Sequence, residues 1–300
     1  MLLSIKFYSG VFNWLYTCFT AKNEQFMDSD NLPVGEVGEW ALEKHAYVER
    51  YIEISRKTRA KYLQPLGTGG ATYTDLFCGA GRSRIKNTDI IVDGSAIVAW
   101  KASVKSNAPF SRVFVCDADK DNLEACVTRL EQLGAPVEGV VLGAKDAAPR
   151  IVASILSRYR YGLHFAFLDP FNLEALDFSM IEEFNQLDKI DLLIHVSAMD
   201  LQRNLQVNLD AEFSAFDKFA PGWRESVDKM GTQLVVRQRV IEFWREKVSK
   251  LDVRPSNTHK LISGERNQPL YWLILAAGHE LAHKFWETAS NPEGQGSFGF

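Results

Sequence analysis

Short apolar runs that alternate with amphipathic stretches constrain this chain of 300 residues more than any other feature. A-T-Y-T-D-L-F-C at 71–78, R-V-F-V-C-D at 112–117, V-E-G-V-V-L-G at 137–143, H-F-A-F-L-D-P at 164–170 and I-D-L-L-I-H-V at 190–196 read as strands. K-D-N-L-E-A-C-V-T-R-L-E-Q-L at 120–133, closed by Gly134, reads as an amphipathic helix, and further helices are expected near 147–159 and 178–187. Strands this apolar are buried on both faces. Parallel neighbours also need crossover helices, so the rhythm predicts a mostly parallel sheet covered on both sides.

The flanks complete the layout. Residues 36–64 are predicted to be one helix, because Trp40, Ala46, Tyr47, Tyr51 and Ile54 recur near helical spacing. Leu-Gly-Thr-Gly-Gly at 66–70 reads as a loop, 200–250 as a polar helical insertion, and K-L-I-S at 260–263 with P-L-Y-W-L-I-L-A-A at 269–277 as a final strand pair. The division expected is an extension at 1–26, a helical segment at 27–66, and one α/β domain at 67–300. The extension is apolar but broken by Lys6, Ser9, Gly10 and Asn13, short of the roughly 20 apolar residues that span a bilayer. A signal peptide and a working start at Met27 are both open readings, the second preferred.

Hydrophobic residues make up 46% and charged residues 24%, and the net charge is −4, so no bulk charge demands a nucleic-acid partner. Two local basic clusters keep that partner open: Arg50, Arg56, Lys57, Arg59 and Lys61, then Arg237, Arg239, Arg245, Lys247 and Lys250. Acids are interspersed in both, as on a solvated helix face. Cys18, Cys78, Cys116 and Cys126 show no C-x-x-C spacing, which favours reduced thiols and a cytoplasmic, non-membrane protein.

The strand ends carry the chemistry. Asp75-Leu76-Phe77-Cys78-Gly79-Ala80-Gly81 closes the first strand, where glycine permits a sharp turn and a close backbone approach to a nucleoside. Asp117 ends the second strand and can accept hydrogen bonds from both ribose hydroxyls. Asp146 follows the third and is expected to meet the adenine amine, and Asp169-Pro170-Phe171 ends the fourth. A dinucleotide site prefers a third glycine, which Gly79-Ala80-Gly81-Arg82-Ser83-Arg84 lacks. The expected ligand is therefore S-adenosylmethionine, held by Asp75, Phe77, Gly79, Gly81, Asp117 and Asp146.

The order of these motifs resembles class I methyltransferases. More narrowly, the chain is similar to the three-Cys-motif partner (TcmP) family over about residues 34 to 290. The likeness rests on W-A-L-E-K-H-A-Y-V-E-R-Y-I, T-D-L-F-C-G-A-G, F-L-D-P-F, D-L-L-I-H-V, F-x-x-F-A-P-G-W at 216–223 and P-L-Y-W-L-I-L-A-A-G-H. It implies a Rossmann-like α/β methyltransferase fold with a mostly parallel seven-stranded sheet, helices on both faces, an N-terminal helix and the helical insertion. It also implies a neighbouring three-cysteine-motif protein as partner.

Asp169-Pro170-Phe171-Asn172 resembles the D/N-P-P-Y element of amino-methyltransferases and the D-P-F-G element of tRNA guanine N2-methyltransferases. There a carboxylate and a backbone carbonyl accept hydrogen bonds from an exocyclic amine while an aromatic ring stacks on the base. Asp169, Pro170 and Phe171 are the candidates for those roles, although an N-capped turn explains the same residues without chemistry. No cysteine follows a proline and none lies beyond position 126, so covalent cytosine C5 transfer is not expected. His279-Glu280-Leu281-Ala282-His283 matches H-E-x-x-H, the zinc hydrolase signature, but no suitable third ligand follows it and no metal is expected. Three classes remain: a methyltransferase acting on an exocyclic amine of a nucleic-acid base, a non-catalytic or regulatory partner, and, least favoured, a zinc hydrolase.

Overall fold

The computed structural model describes residues 26–63, 69–264 and 268–291. The extension at 1–26 falls outside these except for Phe26, as do Cys18, most of the loop at 66–70 and the tail after Asn291. Strands β1 (Gly35–Val37), β2 (Ala71–Asp75), β3 (Arg82–Ile85), β4 (Ile91–Asp93), β5 (Arg112–Asp117), β6 (Val137–Val141), β7 (Leu163–Leu168), β8 (Ile190–Ser197), β9 (Arg254–Ser263) and β10 (Pro269–Ala277) form two sheets. The larger has seven strands in the order β6-β5-β2-β7-β8-β10-β9. Its first five strands are parallel, and β10 runs antiparallel to both β8 and β9. Crossovers on both sides of a central β2, with a reversed strand inserted next to last, give the class I methyltransferase arrangement that the sequence resemblance implied.

Period-two alternation builds one core on each face of the sheet. Val113, Val115, Phe165, Phe167 and Leu193 face one side. There they meet α1 (Trp40–Ile54), α3 (Ser95–Lys105), α4 (Lys120–Gln132) and α12 (Glu280–Ser290). Phe114, Cys116, Ala166, Leu168, Leu192, Ile194 and Val196 face the other. That side is covered by α5 (Ala144–Arg158), α6 (Phe178–Phe184) and α11 (Gln233–Ser249). The expected helical insertion is a chain of short helices, α7 (Ala198–Arg203), α8 (Leu205–Asp210), α9 (Ala215–Phe219) and α10 (Trp223–Ser226), leading into α11. Phe216, Phe219, Trp223 and Trp244 are fully buried, so the insertion is anchored by aromatic packing. Among the described residues no helix is long and apolar enough to cross a membrane.

The expectation for 36–64 needs correcting. Residues 35–37 are a strand, α1 begins only at Trp40, and a break at Ser55 separates α1 from α2 (Arg56–Ala60). The strand exists because β1 pairs in parallel with β3, which itself pairs antiparallel with β4 in a second, three-stranded sheet. Local periodicity cannot report a backbone partner so far away in sequence. Asp28 and Asp30 fasten this segment: Arg82 reaches Asp28 at 2.9 Å, and the buried Arg129 reaches Asp30 at 2.8 Å.

Candidate functional site

A cavity of about 560 Å³ lies at the carboxyl ends of β2, β5, β6 and β7, lined by residues that include Phe77, Gly79, Asp117, Ala118, Gly143, Ala144, Asp169 and Phe171. Open α/β sheets bind ligands at this edge. A larger cavity of about 690 Å³ borders Tyr62, Leu187, Asp191 and His279, but it sits at the opposite edge, away from Gly79.

The two motif glycines differ in function. Gly79 has φ +53°, and a Cβ added there meets no atom within 4 Å, so its surface is open to a ligand. Gly81 has φ +78°, and an added Cβ would lie 3.1 Å from the Cys126 Cα on α4. Gly81 therefore serves helix packing and does not line the cavity. Asp75 is also behind the site. It is fully buried, accepting from the Phe77 N–H at 3.1 Å and the Ser95 hydroxyl at 2.5 Å. Burial pushes its carboxyl up to about 6. Its visible role is to shape the turn that presents Phe77 and Gly79.

Asp117 accepts from the Gly79 N–H at 3.1 Å on one oxygen and from the Asp119 N–H at 2.8 Å on the other. Each oxygen retains a further acceptor direction, and the residue lines the cavity. Asp146 sits in the first turn of α5 and is not among the lining residues, which at this wall are Gly143, Ala144 and Lys145. Lys145 pairs with Asp177 at 2.8 Å, and Lys218 of α9 pairs with Glu174 at 2.7 Å, all four lining the cavity.

Asp169 stands just beyond β7 with neither oxygen free of partners. Lys44 of α1 forms an ion pair with Oδ2, and His195 of β8 lies 2.7 Å from Oδ1 through Nδ1. Burial alone would raise this carboxyl; the Lys44 ammonium and the His195 hydrogen bond override it and hold it well below the usual carboxylate range. Since the carboxylate is ionised, Nδ1 must carry the hydrogen of that bond. Burial lowers the His195 pKa, and Asp169 offsets part of the shift. The Tyr271 ring lies 4.0 Å from the imidazole, centroid to centroid. Pro170 is buried, whereas Phe171 is 85% exposed at the cavity rim. Asn172 accepts from the Ala175 N–H at 2.8 Å and closes the turn.

Sequence reasoning missed Lys44 and His195 as site residues, although both lie inside segments quoted for the family resemblance. A histidine inside the apolar strand D-L-L-I-H-V was the available signal, because a buried polar side chain needs a partner.

The other candidates resolve differently. Helix α12 begins at Glu280, so His279 is its N-cap and accepts from the Leu281 N–H at 3.0 Å. His283 Nε2 is 3.1 Å from the Ala277 carbonyl, which it can reach only as donor. The H-E-x-x-H histidines thus serve the helix start, and no group of three or more potential metal ligands exists among the described residues. Several basic residues are structural too. Arg59 is buried, donating to the Ala108 and Ile52 carbonyls; Arg239 donates to the Met230 carbonyl at 2.6 Å, and Arg245 to that of Ser256 at 2.8 Å.

No family model and no curated protein matches this chain. Among solved structures, it is similar to an O-methyltransferase from Bacillus cereus crystallised with SAH, at 13% identity and TM-score 0.45, covering 83% of this chain and 85% of that one. The O-methyltransferase TomG from Streptomyces achromogenes, in complex with SAM, gives 13% identity and TM-score 0.42 over 89% and 96% of the two chains. A Legionella pneumophila protein gives 13% and 0.45 over 83% and 93%. The fold assignment rests on the strand order and register of the chain itself.

Proposed function

We propose that this chain is a methyltransferase that uses S-adenosylmethionine, with an exocyclic amine of a nucleic-acid base as acceptor. The observation that carries the reading is the convergence of Gly79, Asp117 and Asp169 on one cavity at the carboxyl edge of the sheet. The cavity's size suits a nucleoside ligand. Gly79 leaves room for close backbone approach, and Asp117 offers acceptor directions for a ribose diol. The donor supplies an activated methyl group when bound. Phe77, Gly79 and Asp117 would hold it. Asp169 and the Pro170 carbonyl would accept hydrogen bonds from the acceptor amine, and the exposed Phe171 would stack on the base.

Calorimetry of the purified chain with S-adenosylmethionine and S-adenosylhomocysteine tests the first half. Asp117→Ala should weaken binding by roughly 10- to 150-fold, the worth of a charged hydrogen bond. Absence of binding by the unaltered chain rejects the reading. Mass spectrometry of cellular RNA and DNA nucleosides, with and without the protein, tests the acceptor.

The resemblance to the three-Cys-motif partner family supports a second reading, a regulatory companion of a three-cysteine protein that keeps the fold. The helical insertion exposes Phe213 and Met230, which suits docking. This reading expects donor binding without turnover. The described cysteines are free thiols, in keeping with a cytoplasmic setting.

A further inference from the structure

Three segments far apart in sequence bring one residue each to Asp169: Lys44 from α1, His195 from β8 and Tyr271 from β10. Tyr271 touches Asp169 only indirectly, by packing on the imidazole and lying 5.8 Å below the Lys44 ammonium, centroid to nitrogen. We propose that Lys44 and His195 are positioning residues of the transfer step, which fix the direction of the Asp169 carboxylate and leave its remaining lone pairs for hydrogens on the acceptor. The proposal rests on the methyltransferase reading and adds how the acceptor side is built.

A carboxylate has about four acceptor directions over its two oxygens. Lys44 takes one on Oδ2 and His195 one on Oδ1. Those contacts hold the group against rotation, and Asp169 still borders the cavity. An acceptor amine attacks with its lone pair: the new C–N bond forms, the C–S bond breaks with its electrons left on sulfur, and one N–H proton of the resulting ammonium passes to water, Asp169 being too weak a base to keep it. Ionised, Asp169 offers acceptors on both oxygens to the amine's hydrogens; protonated, one oxygen would turn donor. The Lys44 ammonium supplies the compensating charge. The other groups around the carboxylate do not replace it: buried Asp75 on β2 opposes ionisation, the phenols of Tyr73 and Tyr271 are pushed above their ordinary range, and burial lowers His45 on α1 to about 4. At the rim, Lys145 and Lys218 are already paired with Asp177 and Glu174.

A purely structural ion pair tying α1 to the sheet would show the same contacts. Its loss would lower stability and raise the carboxyl's titration as well, but would leave the pH profile of transfer unaltered.

The experiment uses the full chain carrying carboxyl-labelled aspartate, with Lys44→Met, Lys44→Arg, His195→Gln and His195→Ala. Donor binding is measured first by calorimetry; if the unaltered chain binds no donor, the methyltransferase reading fails. The Asp169 resonance, assigned by its loss in Asp169→Asn, is then followed against pH. It should stay ionised in the unaltered chain down to the acid limit of folding, titrate at least one pH unit higher in Lys44→Met, and return in Lys44→Arg. Unchanged titration in a folded Lys44→Met, with donor binding intact, overturns the proposal alone. With the acceptor in hand, Lys44→Met should lose transfer on the acid side of the profile. His195→Gln, which keeps an N–H donor, should retain at least 10-fold more turnover than His195→Ala at similar donor affinity. Equal loss in both histidine variants removes His195 from this role.

Discussion

Gly94 donates its backbone N–H to the carbonyl oxygen of Gly81 at 2.7 Å. That bond closes the base of the excursion formed by residues 82–93, which carries β3 and β4. Helix α3 therefore starts beside the glycine turn even though a hairpin separates them in sequence. Its Ser95 reaches back to Asp75, while Arg129 on α4 donates to the Ala80 carbonyl at 2.6 Å. The turn is buttressed by two helices before any ligand arrives.

The two glycines of this turn should separate stability from binding. Gly81→Ala adds a Cβ at positive φ against the backbone of Cys126, and should cost about 2–4 kcal/mol of folding stability. Gly79→Ala meets no neighbour and should cost only about 1 kcal/mol, yet it places a methyl group where the donor would approach. Chemical denaturation and donor calorimetry on both variants would check this. Equal stability loss, or unchanged donor affinity in Gly79→Ala, would contradict it.

Phe171 exposes most of its ring and contributes little to the core. Phe171→Ala should leave the thermal midpoint within about 2 °C, in line with a surface substitution. Donor affinity should also hold. Acceptor affinity should fall by roughly 1–3 kcal/mol if a base stacks there. Full transfer efficiency in this variant would remove the ring from the acceptor site.

The histidines of H-E-x-x-H should behave as structural groups. His279→Ala should cost about 1 kcal/mol through the lost N-cap. Elemental analysis of the purified chain should find no stoichiometric zinc. One zinc per chain that disappears in His279→Ala or His283→Ala would reinstate a metal centre.

Asp191 gives a pH dependence with a definite sign. Burial raises its carboxyl from 3.8 to about 6, partly offset by the Tyr51 hydroxyl, which donates to it at 2.7 Å. An acid whose folded pKa is raised contributes stability below its unfolded pKa and loses it as pH rises through the folded value. Asp191→Asn cannot titrate, so its stability relative to the unaltered chain should improve between about pH 4 and 7, by on the order of 1–3 kcal/mol. Denaturation midpoints at both pH values provide the check, and a constant difference would show that this carboxyl does not carry the effect.

Strands β2, β5, β6, β7, β8 and β10 and helix α4 were legible in the sequence, because apolar runs and amphipathic spacing are local consequences of burying one or two faces. Glycine at 79 and 81 and acids at 117 and 169 were legible for the same reason: a turn after a strand has a fixed place relative to the sheet edge. Tertiary structure decided what each residue there touches. Asp75 and Asp146 carry the same charge as Asp117, yet one is sealed beneath the turn and the other lies in a helix off the cavity. Strand β1 exists only because residues 83–85 come alongside it. Lys44, His195 and Asp169 meet only when α1 packs on the sheet beside β7 and β8. A contact between residues so distant in sequence has no local pattern, so packing alone determined that Asp169 is an ionised, doubly held carboxylate.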